Sequence, residues 1–179
     1  MSLYLNSLMV SSLLFMLSVT SAEAVTTAGW GRVNMEGSII ETACAIDTES
    51  LDQTIDLSVL PLNQIIRDGG GGPQNFQIRL INCVLGRTDP KLPDWQRFQV
   101  TFDGNQDGNG FSIYGSARGI ALQIADNQGR IANPGEALPA AEITPGDKRL
   151  QYTMRLIGNK QVLRVGDYYS TVRFKLDYY

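Results

Sequence analysis

The last fourteen residues, Gly166 to Tyr179, constrain the fold most, because their side chains alternate with a period of two. The first series is mainly apolar or aromatic: Tyr168, Ser170, Val172, Phe174, Leu176 and Tyr178. The second is largely charged: Asp167, Tyr169, Thr171, Arg173, Lys175 and Asp177. This pattern predicts a β-strand with one apolar face. Because terminal residues fray unless something holds them, we expect another chain to cover that face. The alternative is an ordinary last strand of a β-sandwich, where alternation is common.

The first 24 residues have the pattern of a secretory signal peptide. An apolar run from Leu8 to Val19 is followed by Ala22-Glu23-Ala24, a small-x-small cleavage site. The run is too short to span a membrane, which takes about 20 apolar residues. We therefore expect an exported protein with a single domain. The net charge of −3 and the absence of a basic patch argue against a nucleic-acid partner.

Cys44 and Cys83 are the only two cysteines of the chain. In an exported protein, such a pair predicts one disulfide bond formed in an oxidising compartment. Closing a loop of this length contributes roughly 3–4 kcal/mol in the chain-entropy description. A zinc site is the weaker alternative, because two thiols and no histidine leave too few preferred ligands.

A second alternating segment follows the cleavage site. Its stripe is rich in glycine, which lets one backbone approach another closely. The stripe consists of Gly29, Gly31, Val33, Met35 and Gly37. From Gly37 onward we also expect the chain to form a first strand of its own sheet.

Between the two ends the sequence is typical of an all-β protein. Alternating apolar residues stop at turn signals such as Asp103-Gly104-Asn105 and Gly158-Asn159. With the terminal segments they give about seven strands and favour an immunoglobulin-like sandwich. A short helical turn is expected near Pro61, and Gly69 to Gly72 is expected to be a flexible loop. The interior strands are predicted around Phe76–Cys83, Phe98–Phe102, Phe111–Tyr114, Ile120–Ile124 and Leu150–Leu156.

Chemical motifs are scarce, and we predict no enzyme activity and no cofactor. The chain has no histidine, the commonest general base. Asp103 to Gly108 matches the first half of a calcium-binding loop, but Tyr114 stands where the bidentate glutamate belongs. We expect a solvated hairpin loop and no metal there. Trp30 and Trp95, if exposed, could stack on sugars. For Trp30 we expect packing in an interface instead, because it lies in the second alternating segment.

The two ends together resemble those of pilus subunits assembled by the chaperone–usher route. The C-terminal match consists of Gly166, the Val172/Phe174/Leu176 series and the penultimate Tyr178. The N-terminal match is Gly31-x-Val33-x-Met35-x-Gly37 followed by Cys44, with Met35 where the family usually has Phe. The resemblance implies a pilin fold, an incomplete immunoglobulin-like sandwich completed in trans by a donor strand. It divides the chain into a signal peptide (1–24), a donor-strand extension (25–37) and a pilin domain (38–179).

The resemblance also implies partners and functional residues. Gly29, Gly31, Val33, Met35 and Gly37 would insert into a neighbouring pilus subunit. A periplasmic chaperone would pair with the C-terminal strand, and an outer-membrane usher would receive the subunit and pass it to a fimbrium on the bacterial surface. The chaperone-binding residues would be Gly166, Val172, Phe174, Leu176, Tyr178 and Tyr179.

Within the family, Val100 to Tyr179 resembles the termination subunit of P-pilus-type systems. The resemblance implies a minor subunit that is added last, at the base of the rod. The short extension before Gly31 looks instead like that of a major rod subunit, so a rod or adaptor role is the alternative. A stand-alone secreted β-sandwich lectin is the alternative from another class. The matching runs are Val100–Gly104, Ala117–Ile120, Leu122–Asp126, Gly129–Ala132 and Phe174–Tyr178.

Overall fold

The computed structural model describes residues 31–179, which are built mainly from β-strands. The predicted signal peptide, Gly29 and Trp30 lie outside the described residues. The strands are β1 (Ala45–Ile46), β2 (Gln74–Cys83), β3 (Arg97–Asp103), β4 (Gln106–Asp107), β5 (Gly110–Phe111), β6 (Tyr114–Gly115), β7 (Ile120–Asp126), β8 (Ile131–Ala132), β9 (Ala141–Glu142), β10 (Gly146–Gly158), β11 (Tyr168–Tyr169) and β12 (Arg173–Tyr178). Two short helices are α1 (Thr48–Leu51) and α2 (Leu62–Asp68).

The strands form two main sheets and one short ladder. The larger sheet has the order β1-β2-β10-β7-β5-β4, with β8 paired to β7. The second sheet has the order β12-β3-β9, and β11 pairs with β6 in the short ladder. All named strand pairs are antiparallel. The predicted all-β, immunoglobulin-like class is confirmed.

Aromatic side chains from both sheets meet in the core. Tyr152 of β10 lies opposite Phe76 of β2, and their rings stack with centroids 5.4 Å apart. Phe102 of β3 packs edge-on against Tyr152, with ring centroids 5.0 Å apart. Such offset and edge-to-face contacts are the arrangements that aromatic rings prefer. They hold the second sheet against the larger one.

The predicted disulfide between Cys44 and Cys83 is confirmed. It joins the residue before β1 to the last residue of β2, and both cysteines are buried. Beside it, the main-chain N–H of Val84 donates to the carbonyl of Ala43 at 2.8 Å. The bond therefore attaches the first strand of the sheet to the end of its partner.

The glycine run after α2 is hydrogen-bonded to β10, although the sequence predicted a flexible loop. The predicted helical turn near Pro61 is present as α2, which ends at Asp68 and is capped by Gly69 with φ of 74°. The N–H of Gly71 donates to Leu156 of β10 at 2.9 Å, and Gly158 donates back to Gly69 at 2.9 Å. A Cβ on Gly70 would collide with the carbonyl oxygen of Leu156. Glycine is thus required because the loop lies directly against β10.

Neither helix in the described part of the chain is long and apolar enough to cross a membrane.

Candidate functional site

The candidate site is the outer edge of β12. This strand pairs with β3 from Arg173 opposite Asp103 to Tyr178 opposite Phe98. It is the end strand of its sheet, so its other edge has no strand partner among residues 31–179. An unpaired edge presents a row of main-chain donors and acceptors to any strand that approaches it.

The side chains of β12 alternate as the sequence predicted. The inward series is half-buried against the core and comprises Phe174, Leu176 and Tyr178, together with Val172 immediately before the strand. The outward series is exposed, and its charges form ion pairs. The guanidinium of Arg173 lies 2.9 Å from Asp103, and the ammonium of Lys175 lies 3.0 Å from Asp177. The strand therefore has one charged, solvated face and one apolar face that is only partly covered.

The main-chain groups on the open edge belong to the same residues as the inward side chains. Tyr179 and Arg97 exchange two main-chain hydrogen bonds, of 3.0 and 2.9 Å. In an antiparallel ladder such pairs alternate with residues whose N–H and C=O point away from the partner. Counting back from Tyr179, these are Tyr178, Leu176 and Phe174. An incoming strand would meet main-chain hydrogen-bonding groups and apolar side chains at the same three positions.

Tyr178 lies at the end of this edge with its hydroxyl buried. That hydroxyl has no hydrogen-bond partner among the described residues. Burial raises the pKa of Tyr178 to about 12. The ring lies 6.2 Å from the Trp95 ring and 6.4 Å from the Phe98 ring, measured between centroids.

Trp95 is buried, so the prediction of an exposed, sugar-stacking tryptophan at this position is wrong. The main-chain N–H of Trp95 donates to the carbonyl of Leu85 at 2.8 Å, which holds the residue against the core. The guanidinium carbon of Arg87 lies 3.8 Å from the centre of the Trp95 ring, and Glu41 pairs with the same guanidinium at 3.4 Å. The ring is enclosed by Arg87 on one face and by Tyr178 beside it.

The chain preceding β12 turns away from β3, which corrects the prediction of one continuous strand from Gly166. Tyr168 and Tyr169 form β11 and pair with β6, because β3 already ends at Asp103 opposite Arg173. The carbonyl of Asp167 accepts the N–H groups of Ser116 and Ala117 at 2.9 and 3.1 Å. The segment that leads into β12 is therefore hydrogen-bonded to the segment around β6.

Gly166 sits where the chain passes Ser116 at close range. A Cβ on Gly166 would collide with the Ser116 hydroxyl and would lie 2.8 Å from the Ala117 nitrogen. The residue also has φ of 157°, a value that residues other than glycine rarely adopt. These observations give a physical reason for glycine at this position.

A cleft of about 310 Å³ beside the β6–β11 ladder contains polar groups that are already paired. Asn159 donates to Asp107 at 2.8 Å, and Asn105 donates to the Tyr114 hydroxyl at 2.6 Å. With Asp103 bound by Arg173, two acidic residues of the calcium-like sequence already have partners. No cluster of three potential metal-binding side chains occurs within residues 31–179.

The predicted donor segment is described in part, and only by itself. Residues 31–38 have no regular secondary structure, and Val33 and Met35 are 90% and 93% exposed. The chain's own first strand begins at Ala45 and not at Gly37 as expected. The alternating residues of the donor segment thus form no strand within residues 31–38, and pairing of this segment with another subunit stays a prediction.

The sequence reasoning missed two sets of residues around the site. Trp95 and Phe98 surround Tyr178, and the alternation Phe98-Val100-Phe102 could have identified Phe98 as its neighbour. Ser116, against which Gly166 packs, carries no recognisable sequence signal, because this contact depends on the tertiary fold.

Comparison with known proteins points to one group. No protein-family profile matches the chain. The PRS and PAP fimbrial minor pilin proteins of Escherichia coli are each 34% identical to it over 150 residues, covering 83% of this chain and 77% of each relative. The fimbria A protein of Serratia marcescens is 28% identical over 180 residues, covering 97% of this chain and 98% of that protein.

Solved structures show the same fold. The P pilus rod subunit PapA matches with a TM-score of 0.63 and 21% identity, over 77% of this chain and 100% of that one. A chain from the structure of a chaperone–usher pilus, which reveals the molecular basis of rod uncoiling, matches with a TM-score of 0.66 and 21% identity. The match covers 85% of this chain and 97% of that one.

Proposed function

Because the chain belongs to the chaperone–usher family of fimbrial subunits, we propose that it is a minor pilus subunit that ends the rod and anchors it at its base. The family consists of structural, non-enzymatic proteins that assemble with other subunits into surface fimbriae. The subunit leaves the cell through the periplasm, where a chaperone holds it before an outer-membrane usher adds it to the pilus.

The observation that carries the proposal is the open edge of β12. Phe174, Leu176 and Tyr178 combine half-buried side chains with main-chain groups that face away from β3. A strand laid along this edge would satisfy the main-chain groups and cover the core in one step. We propose that the chaperone supplies this strand through Val172 to Tyr179, and that Gly166 orients the approach to it.

Two observations support a terminating role. Both Escherichia coli relatives at 34% identity are called minor pilins. The chain leading into β12 is also hydrogen-bonded to the segment around β6. Ser116 bonds to Asp167, and Arg118 forms a β-bridge with Arg164. We propose that this attachment closes the end of the groove where an exchanging strand would have to start. The subunit then donates its own strand through Gly29, Gly31, Val33, Met35 and Gly37 and accepts none.

Strand exchange with synthetic peptides tests the role. The chaperone-bound subunit is mixed with N-terminal peptides from its sister subunits, and loss of chaperone is followed by native electrophoresis. A peptide of residues 25–37 is offered to the chaperone-bound rod subunit in parallel. We expect the sister peptides to displace the chaperone from this subunit much more slowly than the peptide of residues 25–37 displaces it from the rod subunit. Rapid uptake of a sister peptide by this subunit would refute termination and support the rod or adaptor role.

Folding without a partner tests the alternative from another class. A stand-alone lectin needs a complete sheet, so it would fold as a monomer with a cooperative thermal transition. We expect the exported chain alone to aggregate, because its edge and the core beneath it stay open. Trp95 is buried, so it is not available to stack on a sugar, and this argues against the lectin alternative.

A further inference from the structure

The cleft beside the β6–β11 ladder combines two exposed aromatic rings with polar side chains. Tyr114 and Tyr169 lie opposite each other in that ladder, with ring centroids 5.6 Å apart and planes inclined by 30°. They are 40% and 64% exposed, although aromatic rings contribute most to stability when they are buried. Neither ring belongs to the β12 edge or to the donor segment, so the proposed assembly of the pilus does not account for their exposure. The volume of about 310 Å³ is within the range of small-molecule sites.

The polar side chains of the cleft hold one another in place by hydrogen bonds. Asn159 donates to one carboxylate oxygen of Asp107 at 2.8 Å, and the main-chain N–H of Gln161 donates to the Asn159 side chain at 3.0 Å. The Nη1 nitrogen of Arg118 donates to two main-chain carbonyls at 2.7 and 2.6 Å. Groups that are positioned in advance bind a ligand at a lower entropic cost, because little ordering is left to do.

These bonds use only part of the hydrogen-bonding capacity of the lining. Within residues 31–179, Asp107 keeps its second carboxylate oxygen as an acceptor, and Arg118 keeps the N–H groups on Nε and Nη2 as donors. The Tyr114 hydroxyl accepts a hydrogen bond from Asn105 at 2.6 Å and can still donate its own proton. The cleft thus offers donors and acceptors together, which suits hydroxyl groups, since each hydroxyl both donates and accepts.

The charges of the lining limit the chemical class of the ligand, because Asp107 and Arg118 are its only acidic and basic residues. The carboxylate would repel a phosphate or a carboxylate, and the guanidinium would repel an amine. An apolar ligand would exclude water and leave the polar groups without partners. A sugar ring meets both requirements, because its C–H groups pack on an aromatic face while its hydroxyl groups bond to the polar side chains.

We propose that this cleft binds a neutral saccharide, with the sugar ring packed on Tyr169 and its hydroxyl groups bonded to Asp107 and Arg118. The site uses no residue of the β12 edge or of the donor segment, so it is a function in addition to pilus assembly. It differs from the stand-alone lectin considered above, because it does not require a sheet that is complete without a partner.

The test is isothermal titration calorimetry of the chaperone-bound subunit, with the free chaperone as the blank. Maltose, lactose and N,N′-diacetylchitobiose are the neutral probes, and they distinguish glucose, galactose and N-acetylglucosamine as the sugar recognised. Glucose 6-phosphate and glucosamine are the charged comparators. The variants are Tyr169→Ala, Asp107→Asn and the control Ile66→Ala, which removes an exposed apolar side chain from α2.

We expect a neutral probe to bind wild type and Ile66→Ala with a dissociation constant of about 1 mM or below. Tyr169→Ala should weaken this binding about tenfold, because the sugar ring loses the aromatic face. Asp107→Asn should admit glucose 6-phosphate, because the repelling carboxylate is gone.

Three results would overturn the inference. The first is the absence of saturable binding of every neutral probe below about 10 mM. The second is an equal affinity of Tyr169→Ala and Ile66→Ala, and the third is tighter binding of a charged comparator by wild type. Each result leaves the proposed function standing, because strand exchange does not depend on this cleft.

Discussion

Leu176 of β12 lies directly opposite Val100 of β3, yet the two side chains differ in how well they are covered. Val100 is buried at 4% exposure, whereas Leu176 is only half-buried. Both point to the same core, so the difference arises because β3 has a neighbour on each side and β12 has one. The uncovered part of Leu176 marks the surface that a further strand would bury.

Replacing Phe174 with aspartate should weaken capture by the periplasmic chaperone about tenfold to a hundredfold. The substitution removes an aromatic side chain worth about 1.5–3 kcal/mol on full burial and sets a charge in its place. The measurement is a pull-down titration with the cognate chaperone. Lys175→Asp is the matched control, because its side chain lies on the exposed face of the same strand. Equal loss in both variants would show that charge and not inward packing governs capture.

Replacing Cys44 and Cys83 with serine should lower the yield of chaperone-bound subunit. The disulfide closes a segment of sequence separation 39, and its loss frees that segment in the unfolded chain. We expect a decrease of roughly 3–4 kcal/mol in the free energy of unfolding, measured by denaturant titration of the chaperone complex. Wild-type stability that does not change on reduction would contradict this expectation.

Gly166→Ala should destabilise the subunit by about 1–3 kcal/mol, because the new methyl group collides with Ser116 and the main chain holds an unusual φ. Gly72→Ala is the control, since no atom lies within 4 Å of the position of its Cβ. Thermal denaturation of the two chaperone complexes measures the difference. Similar melting temperatures would show that the chain around Ser116 moves aside at little cost.

Asp126 should make stability depend on pH in the acidic range. Burial by itself would raise the pKa of Asp126, but hydrogen bonds from the main chain and side chain of Arg130 and from Gln128 outweigh burial and lower that pKa below 3.8. The Arg130 guanidinium lies 2.6 Å from the carboxylate. A lowered pKa means that the ionised group stabilises the fold above about pH 4, and that this contribution is lost as the pH falls through the folded value.

Asp126→Asn tests this dependence. At pH 7 we expect the free energy of unfolding to fall by about 1–3 kcal/mol, since a charge-assisted interaction is lost. The difference between variant and wild type should shrink progressively below about pH 4. A constant difference from pH 7 to pH 3 would exclude ionisation of Asp126 as the cause. Urea titrations at stepped pH, made on the chaperone complex, provide the measurement.

The period-two patterns of the sequence predicted the main strands because each pattern is a local consequence of burying one face of a sheet. The alternation of Val172 to Tyr178 therefore appears in the structure as expected. The break between β11 and β12 was not predicted, because Tyr168 continues the alternation while pairing with a different strand. The burial of Trp95 was likewise missed, since it depends on Tyr178, far away in sequence. Tertiary pairing, which no local pattern encodes, decides both features.

The ion pairs Arg173–Asp103 and Lys175–Asp177 on the outer face of β12 have a consequence for how copies of the protein associate. A hydrated, charged face resists stacking of one sheet upon another, which is the geometry of lateral aggregates. The apolar side chains and free main-chain groups are reached only from the side of the strand. Contact of another strand with this surface is therefore restricted to the open edge of β12, and the charged face opposes side-by-side stacking of subunits.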